Sequence, residues 1–266
     1  MSLNTEEELE KLGVNPVGGQ HFIDSERSLE AFLSSCDTSG KTVLEIGAGT
    51  GNITERIDAE KVYAVEKDTV LAEHLEERFD EEKVEVVNKD FLSMDIPDDV
   101  DFILGNIPFE ISSDIIKKLG EAQILASLIV QDAYADKIVS GPGDNDYGKQ
   151  SFRTQLNFLP VKENVIPASS YTPEPEVDTA VVKLFPNRDR HGIEDVEEFI
   201  DFASALFTHP NKKLRNSVVD ARHILEVTKE EAKDLRDELT HSEKRVNRME
   251  ISELGDTFQE FKSLKS

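Results

Sequence analysis

The chain has 266 residues, 38% hydrophobic and 32% charged with no Trp, enough for one large α/β domain and a smaller appendage. No run of eighteen apolar residues occurs and the opening MSLNTEEELEKLG is acidic and polar, which disfavours a membrane span or signal peptide and leads us to expect a cytoplasmic protein. A formal charge of −25 runs against the usual electrostatic footprint of a nucleic-acid binder, and a lone cysteine, Cys36, excludes an internal disulfide.

Apolar spacing predicts a helix over residues 5–12, then a glycine-containing loop, VNPVGGQHF at 14–22, placed over a ligand mouth. Asp24 or Ser25 can cap a helix through Leu29, Phe32 and Leu33. The first strand is expected at Thr42–Ile46, and apolar runs recur at 62–65, 84–87, 102–104 and 124–130 with helical segments between them. Strands alternating with helices imply a parallel, doubly wound sheet whose ligands lie beyond the carboxyl ends of the strands. After the turn-rich GPGDNDYG at 141–148, two further β-like runs at 152–158 and 179–185 are expected to form an antiparallel edge pair, making seven strands. Past a break at 186–192 the pattern is helical at 196–207, 213–225, 229–239 and 251–264. The expected division is therefore 1–188 for the α/β domain and 189–266 for a small helical domain.

The negative charge is uneven. Residues 1–190 carry 18 Lys and Arg against 38 Asp and Glu, and residues 191–266 carry 12 against 17. Between 202 and 225, Lys212, Lys213, Arg215 and Arg222 face only Asp220, a local net of +3. A narrow basic patch in an acidic chain is compatible with RNA binding, and adaptation to a salt-rich cytosol would account for the rest.

The chemistry concentrates at strand ends. Gly47, Gly49 and Gly51 follow the first strand in TVLEIGAGTG and allow close approach of a ligand, a turn shared by proteins that bind NAD, FAD and S-adenosylmethionine. Glu66, at the end of the second strand, is placed to accept both hydroxyls of a cofactor ribose. Asp90, after the third, is placed to accept from an adenine amino group. The fourth strand runs into GNIPF, where the Asn106 side-chain oxygen and a main-chain carbonyl near Pro108 can accept from one exocyclic amino group while Phe109 stacks on the same base. That turn disfavours a dinucleotide-dependent oxidoreductase.

Taken together these motifs resemble the KsgA-type small-subunit ribosomal RNA adenine N6-dimethyltransferases, which share their catalytic domain with the erythromycin-resistance methyltransferases. The resemblance spans GGQHFI at 18–23, LEIGAGTGNIT at 44–54, VEKD at 65–68, Asp90, GNIPFEIS at 105–112, VQDAYADKI at 130–138, PGDNDYG at 142–148, PEPEVDTAVVKL at 173–184 and FTHPNKKLRN at 207–216. It implies a Rossmann-like methyltransferase sheet with S-adenosylmethionine as cofactor and no metal. His21 and Ile23 would line the cofactor mouth, the Gly47–Gly51 turn would hold the methionine end, Glu66 the ribose and Asp90 the adenine. Asn106, Pro108 and Phe109 would be catalytic. Lys212, Lys213, Arg215, Lys244, Arg245 and Arg248 would contact RNA. The implied partners are ribosomal RNA and the small-subunit particle during ribosome biogenesis, met by a monomer. Phe109 stands where the family commonly has Tyr, Gln131-Asp132-Ala133 departs from a lysine-containing version, and Pro210-Asn211 replaces part of an arginine-rich run. Two other readings within reach of the sequence are a non-catalytic assembly factor and a large-subunit enzyme of the resistance type.

Overall fold

The computed structural model describes residues 5–16 and 19–265. Residues 1–4, and Val17 and Gly18 of the expected loop, lie outside them. The chain divides into two compact units, Met1–Ala135 with Phe158–Pro186, and Asp136–Asn157 with Asn187–Ser266.

The first unit contains the sheet. Its strands are β1 (Thr42–Ile46), β2 (Lys61–Glu66), β3 (Val84–Asn88), β4 (Phe102–Asn106), β5 (Leu125–Gln131), β6 (Phe158–Ile166) and β7 (Thr179–Pro186), in the spatial order β3-β2-β1-β4-β5-β7-β6. The first five are parallel, with Val43 of β1 opposite Val62 and Phe102, and β7 runs antiparallel between β5 and β6. This is the doubly wound seven-stranded architecture expected. The central strands are buried almost along their whole length and mostly apolar because both faces are covered, whereas the edge strands β3 and β6 mix buried and exposed residues. The order reverses between β1 and β4, and the carboxyl ends of these two strands frame the crevice where such sheets bind ligands. Helix α1 (Thr5–Leu12) is followed by α2 (Glu26–Leu33), capped by Ser25, whose Oγ accepts from Ser28 N at 3.4 Å. Between strands come α3 (Thr69–Arg78), α4 (Ser112–Ala122) and α5 (Asp132–Val139).

The second unit is helical: α6 (Lys149–Asn157), α7 (Val196–Leu206), α8 (Leu214–Asp220), α9 (Lys229–Glu238) and α10 (Ile251–Lys265). One expectation is corrected here. Residues 152–157 are the end of α6, not a strand, and the edge strand begins at Phe158. Phe152 and Leu156 are four residues apart, so a helix puts both on one face, and Phe152 packs edge-on to Phe199 with centroids 5.3 Å apart. Tyr147, Phe152 and Leu156 thereby belong to the core of Phe199, Phe207, Leu214 and Phe258. For the same reason the helical unit takes in Asp136–Asn157 ahead of the boundary expected at 188. Helix α8 stops at Asp220, short of the expected 225, and the chain turns through Glu226 at φ 55°. No helix among the described residues is long and apolar enough to cross a membrane.

Candidate active site

A cleft of about 230 Å³ lies at the carboxyl ends of β1, β2 and β4. It is lined by His21, Ile23, Gly47, Gly49, Glu66, Asp90, Asn106, Pro108 and Phe109, so the fold brings nearly all of the expected cofactor and catalytic positions to one place. Gly51 is absent from the lining. At φ +86°, a Cβ there would fall 2.8 Å from the Phe79 ring and 2.9 Å from Leu75, so this glycine lets the turn pack on α3. Gly49, at φ +57°, has the Phe22 ring 2.9 Å from where a Cβ would stand. The turn is fastened to β2 by Gly47 N and Ala48 N, which both donate to the Val65 carbonyl at 2.9 and 3.1 Å.

Glu66 anchors the same turn. Its Oε2 accepts from Gly49 N at 2.8 Å and its Oε1 from Asp68 N at 2.9 Å. Burial raises its pKa while these backbone donors oppose the shift. Asp90 is also engaged: Oδ1 accepts from Leu92 N at 2.9 Å and Oδ2 from Lys67 Nζ at 2.8 Å. The Lys67 ammonium is the main cause holding its carboxyl below the ordinary range.

At the end of β4, Asn106 Nδ2 donates to the His21 carbonyl at 2.7 Å, which leaves Oδ1 as the amide atom able to accept. The Pro108 carbonyl is occupied by Ser112 Oγ at 3.1 Å and Ile111 N at 3.3 Å. The Ile107 carbonyl accepts from no group among the described residues, so it is the free main-chain acceptor next to Asn106. The His21 ring stacks on Phe109, 5.7 Å between centroids at 25°, and its Nδ1 lies 2.8 Å from the Pro173 carbonyl. Ile23 is buried, and its carbonyl accepts from Asn52 Nδ2 at 2.9 Å.

Sequence reading missed Phe22, Lys67 and Asn52, all in the lining. Lys67 was findable, since it adjoins Glu66 in VEKD. Asn52 makes its contacts across 29 and 47 residues of sequence, to Ile23 and Thr5, and nothing local announces them.

In the helical unit, two segments that are distant in sequence run side by side. Leu214 N donates to Lys244 O, Arg215 N to Ser242 O, Val246 N to Lys212 O and Asn247 N to Pro210 O, at 2.8 to 3.1 Å. This ladder joins Lys212, Lys213 and Arg215 to Lys244, Arg245 and Arg248. Gly143 of the PGDNDYG loop donates to Asn247 O at 2.8 Å, and Tyr147 to Met249 O at 3.2 Å. Most of the cations are paired: Lys212 with Asp220, Lys213 and Arg215 with Glu243, and Lys244 with Glu253. Arg245 donates to the Asn211 carbonyl. Arg245 and Arg248 have no carboxylate partner among the described residues.

The sheet order and the cleft at its switch point define a Rossmann-like methyltransferase. A solved dimethyladenosine transferase from Plasmodium falciparum has the same fold, with a TM-score of 0.81 at 24% identity, covering 92% of this chain and 98% of that one. A 23S rRNA methyltransferase, ErmE, superposes with a TM-score of 0.67 at 21% identity, covering 91% and 99%. The family model for ribosomal RNA adenine dimethylase matches residues 14–262, and the chain belongs to that family. Its relatives include proteins named probable ribosomal RNA small subunit methyltransferase A. That of Methanococcoides burtonii is 36% identical over 82% of this chain and 83% of its own length, and that of Halobacterium salinarum is 33% identical over 79% and 77%. The chain is thus an S-adenosylmethionine-dependent rRNA adenine dimethyltransferase.

Proposed function

We propose that the enzyme dimethylates N6 of adenines, two adjacent ones, in small-subunit ribosomal RNA, acting as a cytoplasmic monomer on small-subunit particles during ribosome biogenesis. The names of the relatives support the small subunit, and the observation that carries the chemistry is the pair of free acceptors at Asn106 Oδ1 and the Ile107 carbonyl beside the Phe109 ring.

The cleft suits S-adenosylmethionine. Gly47 leaves room for the methionine end beside the turn, Glu66 keeps a carboxylate for the ribose hydroxyls, and Asp90 Oδ2 can accept from the adenine amino group beside its Lys67 pair. S-adenosylmethionine supplies an electrophilic methyl group on a sulfonium. Adenine N6 is a weak nucleophile because its lone pair is delocalised into the ring. Phe109 stacks on the target base and fixes its plane. In the first transfer Asn106 Oδ1 and the Ile107 carbonyl accept the two N6 hydrogens, and in the second one of them accepts the single hydrogen left, which favours the tetrahedral nitrogen whose lone pair points at the methyl; the proton that N6 sheds after each transfer passes to solvent. Since no strong base is needed, alignment and preorganised acceptors supply the catalysis.

Asn106→Ala should lower methyl transfer by about 100-fold or more, the scale of losing one preorganised partner of the transition state, while thermal melting stays close to the parent. Labelled S-adenosylmethionine, small-subunit particles and mass-spectrometric mapping of dimethyladenine read both rate and site. Turnover near normal in that variant rules out this mechanism, and transfer to large-subunit RNA alone rules out the assigned substrate.

A further inference from the structure

Whether the basic ladder docks RNA or is already neutralised depends on what its cations hold. Glu243 stands out among the three carboxylates there. Its Oε2 accepts from Lys213 Nζ at 2.6 Å and its Oε1 from Arg215, so one side chain occupies two cations. All three are open to solvent, with side-chain exposures of 41%, 42% and 60% for Lys213, Arg215 and Glu243. Glu253 differs: it is only 22% exposed and also accepts from Glu250 N at 2.8 Å, so it has a structural task at the start of α10. Asp220 pairs with Lys212 alone among the described residues. Lys213 and Arg215 are the hydrogen-bond and ion-pair partners of the Glu243 carboxylate among the described residues, and it caps no helix there.

We infer that Glu243 is a selectivity element on the RNA-docking face, competing with phosphate for Lys213 and Arg215 and so weakening the docking of RNA that offers charge alone. The inference rests on the RNA-docking reading of this unit. Exposed ion pairs are worth only about 0–1 kcal/mol, so a phosphate can displace the carboxylate. The displaced carboxylate then stays beside the phosphate and repels it. An RNA whose shape also satisfies Arg245 and Arg248, which have no carboxylate partner among the described residues, offsets that repulsion, whereas a flexible polyanion does not. Discrimination by a built-in repulsive group is a common route to specificity.

The test uses the full chain with Glu243→Gln, measuring affinity for a single-stranded homopolymer RNA and for small-subunit particles across KCl concentrations. Removing one competing charge is equivalent to gaining about one phosphate contact, so homopolymer affinity should rise about fivefold at 0.1 M KCl and its log–log salt slope should steepen by about 0.7. Affinity for particles should rise less, so their advantage shrinks. In a Lys213→Gln/Arg215→Gln background the same substitution should change nothing. Unchanged homopolymer affinity and slope, or an equal gain in that background, overturns the inference. If the double substitution weakens particle binding while Glu243→Gln is silent, docking stands and the competitor role falls. If the double substitution leaves particle binding intact, both fall.

Discussion

Glu45 sits in the middle of β1 with none of its surface exposed, in a strand otherwise built from apolar residues. Thr54 Oγ1 donates to its Oε2 at 2.6 Å, and Oε1 has no hydrogen-bond partner. Burial pushes the carboxyl from 4.5 up to about 8, the Thr54 bond opposes this and the nearby Glu66 charge adds to it. The folded protein therefore holds this proton through neutral pH, while the unfolded chain releases it above 4.5. Stability from this group is fully present below 4.5 and declines as pH rises toward 8, by about 1.4 kcal/mol per pH unit at most. Glu45→Gln keeps a polar partner for Thr54 and removes the titration. The variant should match the parent in thermal melting at pH 5 and exceed it at pH 8 by a few degrees or more. Parallel melting curves across that range would show that Glu45 does not titrate there. The residue was visible in LEIGAG, yet a sequence treats every acid in an acidic protein alike. What separates Glu45 from Glu66 is its place within β1, against the strand end that puts Glu66 beside the glycine turn.

Among the elements, the parallel strands were legible as short apolar, β-branched runs, the interior ones because both faces are buried and the edge strand β3 through Val84, Val86 and Val87, and their ends located Glu66, Asp90 and Asn106. The run at 152–158 misled, since FRTQLNF is too short to separate a period of two from one of 3.6 and its Phe152–Leu156 spacing suits a helix. A close approach of the two central strands was also hidden. Gly105 in β4 lies so close to β1 that a Cβ would stand 2.5 Å from the Ile46 carbonyl and 3.1 Å from its Cβ. The obstacle is backbone, so no rotamer relieves it. Gly105→Ala must part the two central strands and carry Asn106 away from the glycine turn. We expect a loss of about 1–3 kcal/mol in chemical denaturation, the usual scale for overpacking, together with weaker S-adenosylmethionine binding by calorimetry. A variant with parental stability and affinity would mean that the strands separate freely.

Over the whole molecule, the charge of −25 and the basic ladder pull in opposite directions. Composition revealed the local positive window but not its pairing, because Lys213 and Arg215 meet Glu243 from 28 to 30 residues away and the ladder that aligns them is a tertiary contact. The acidic remainder repels itself in the compact state, and that repulsion is screened as the Debye length falls from about 10 Å at 0.1 M salt to about 3 Å at 1 M. The same screening weakens phosphate contacts to Lys and Arg. Raising KCl from 0.1 to 1 M should therefore raise the melting temperature of the free protein while it lowers RNA affinity, and Glu243→Gln should shift the second response without altering the first. Thermal melting and RNA titration on one salt series separate them. A melting temperature that falls with KCl would mean that the ion pairs, among them Lys61 with Glu85 at 2.7 Å and Arg78 with Glu55 at 3.0 Å, stabilise the fold more than the excess acid strains it.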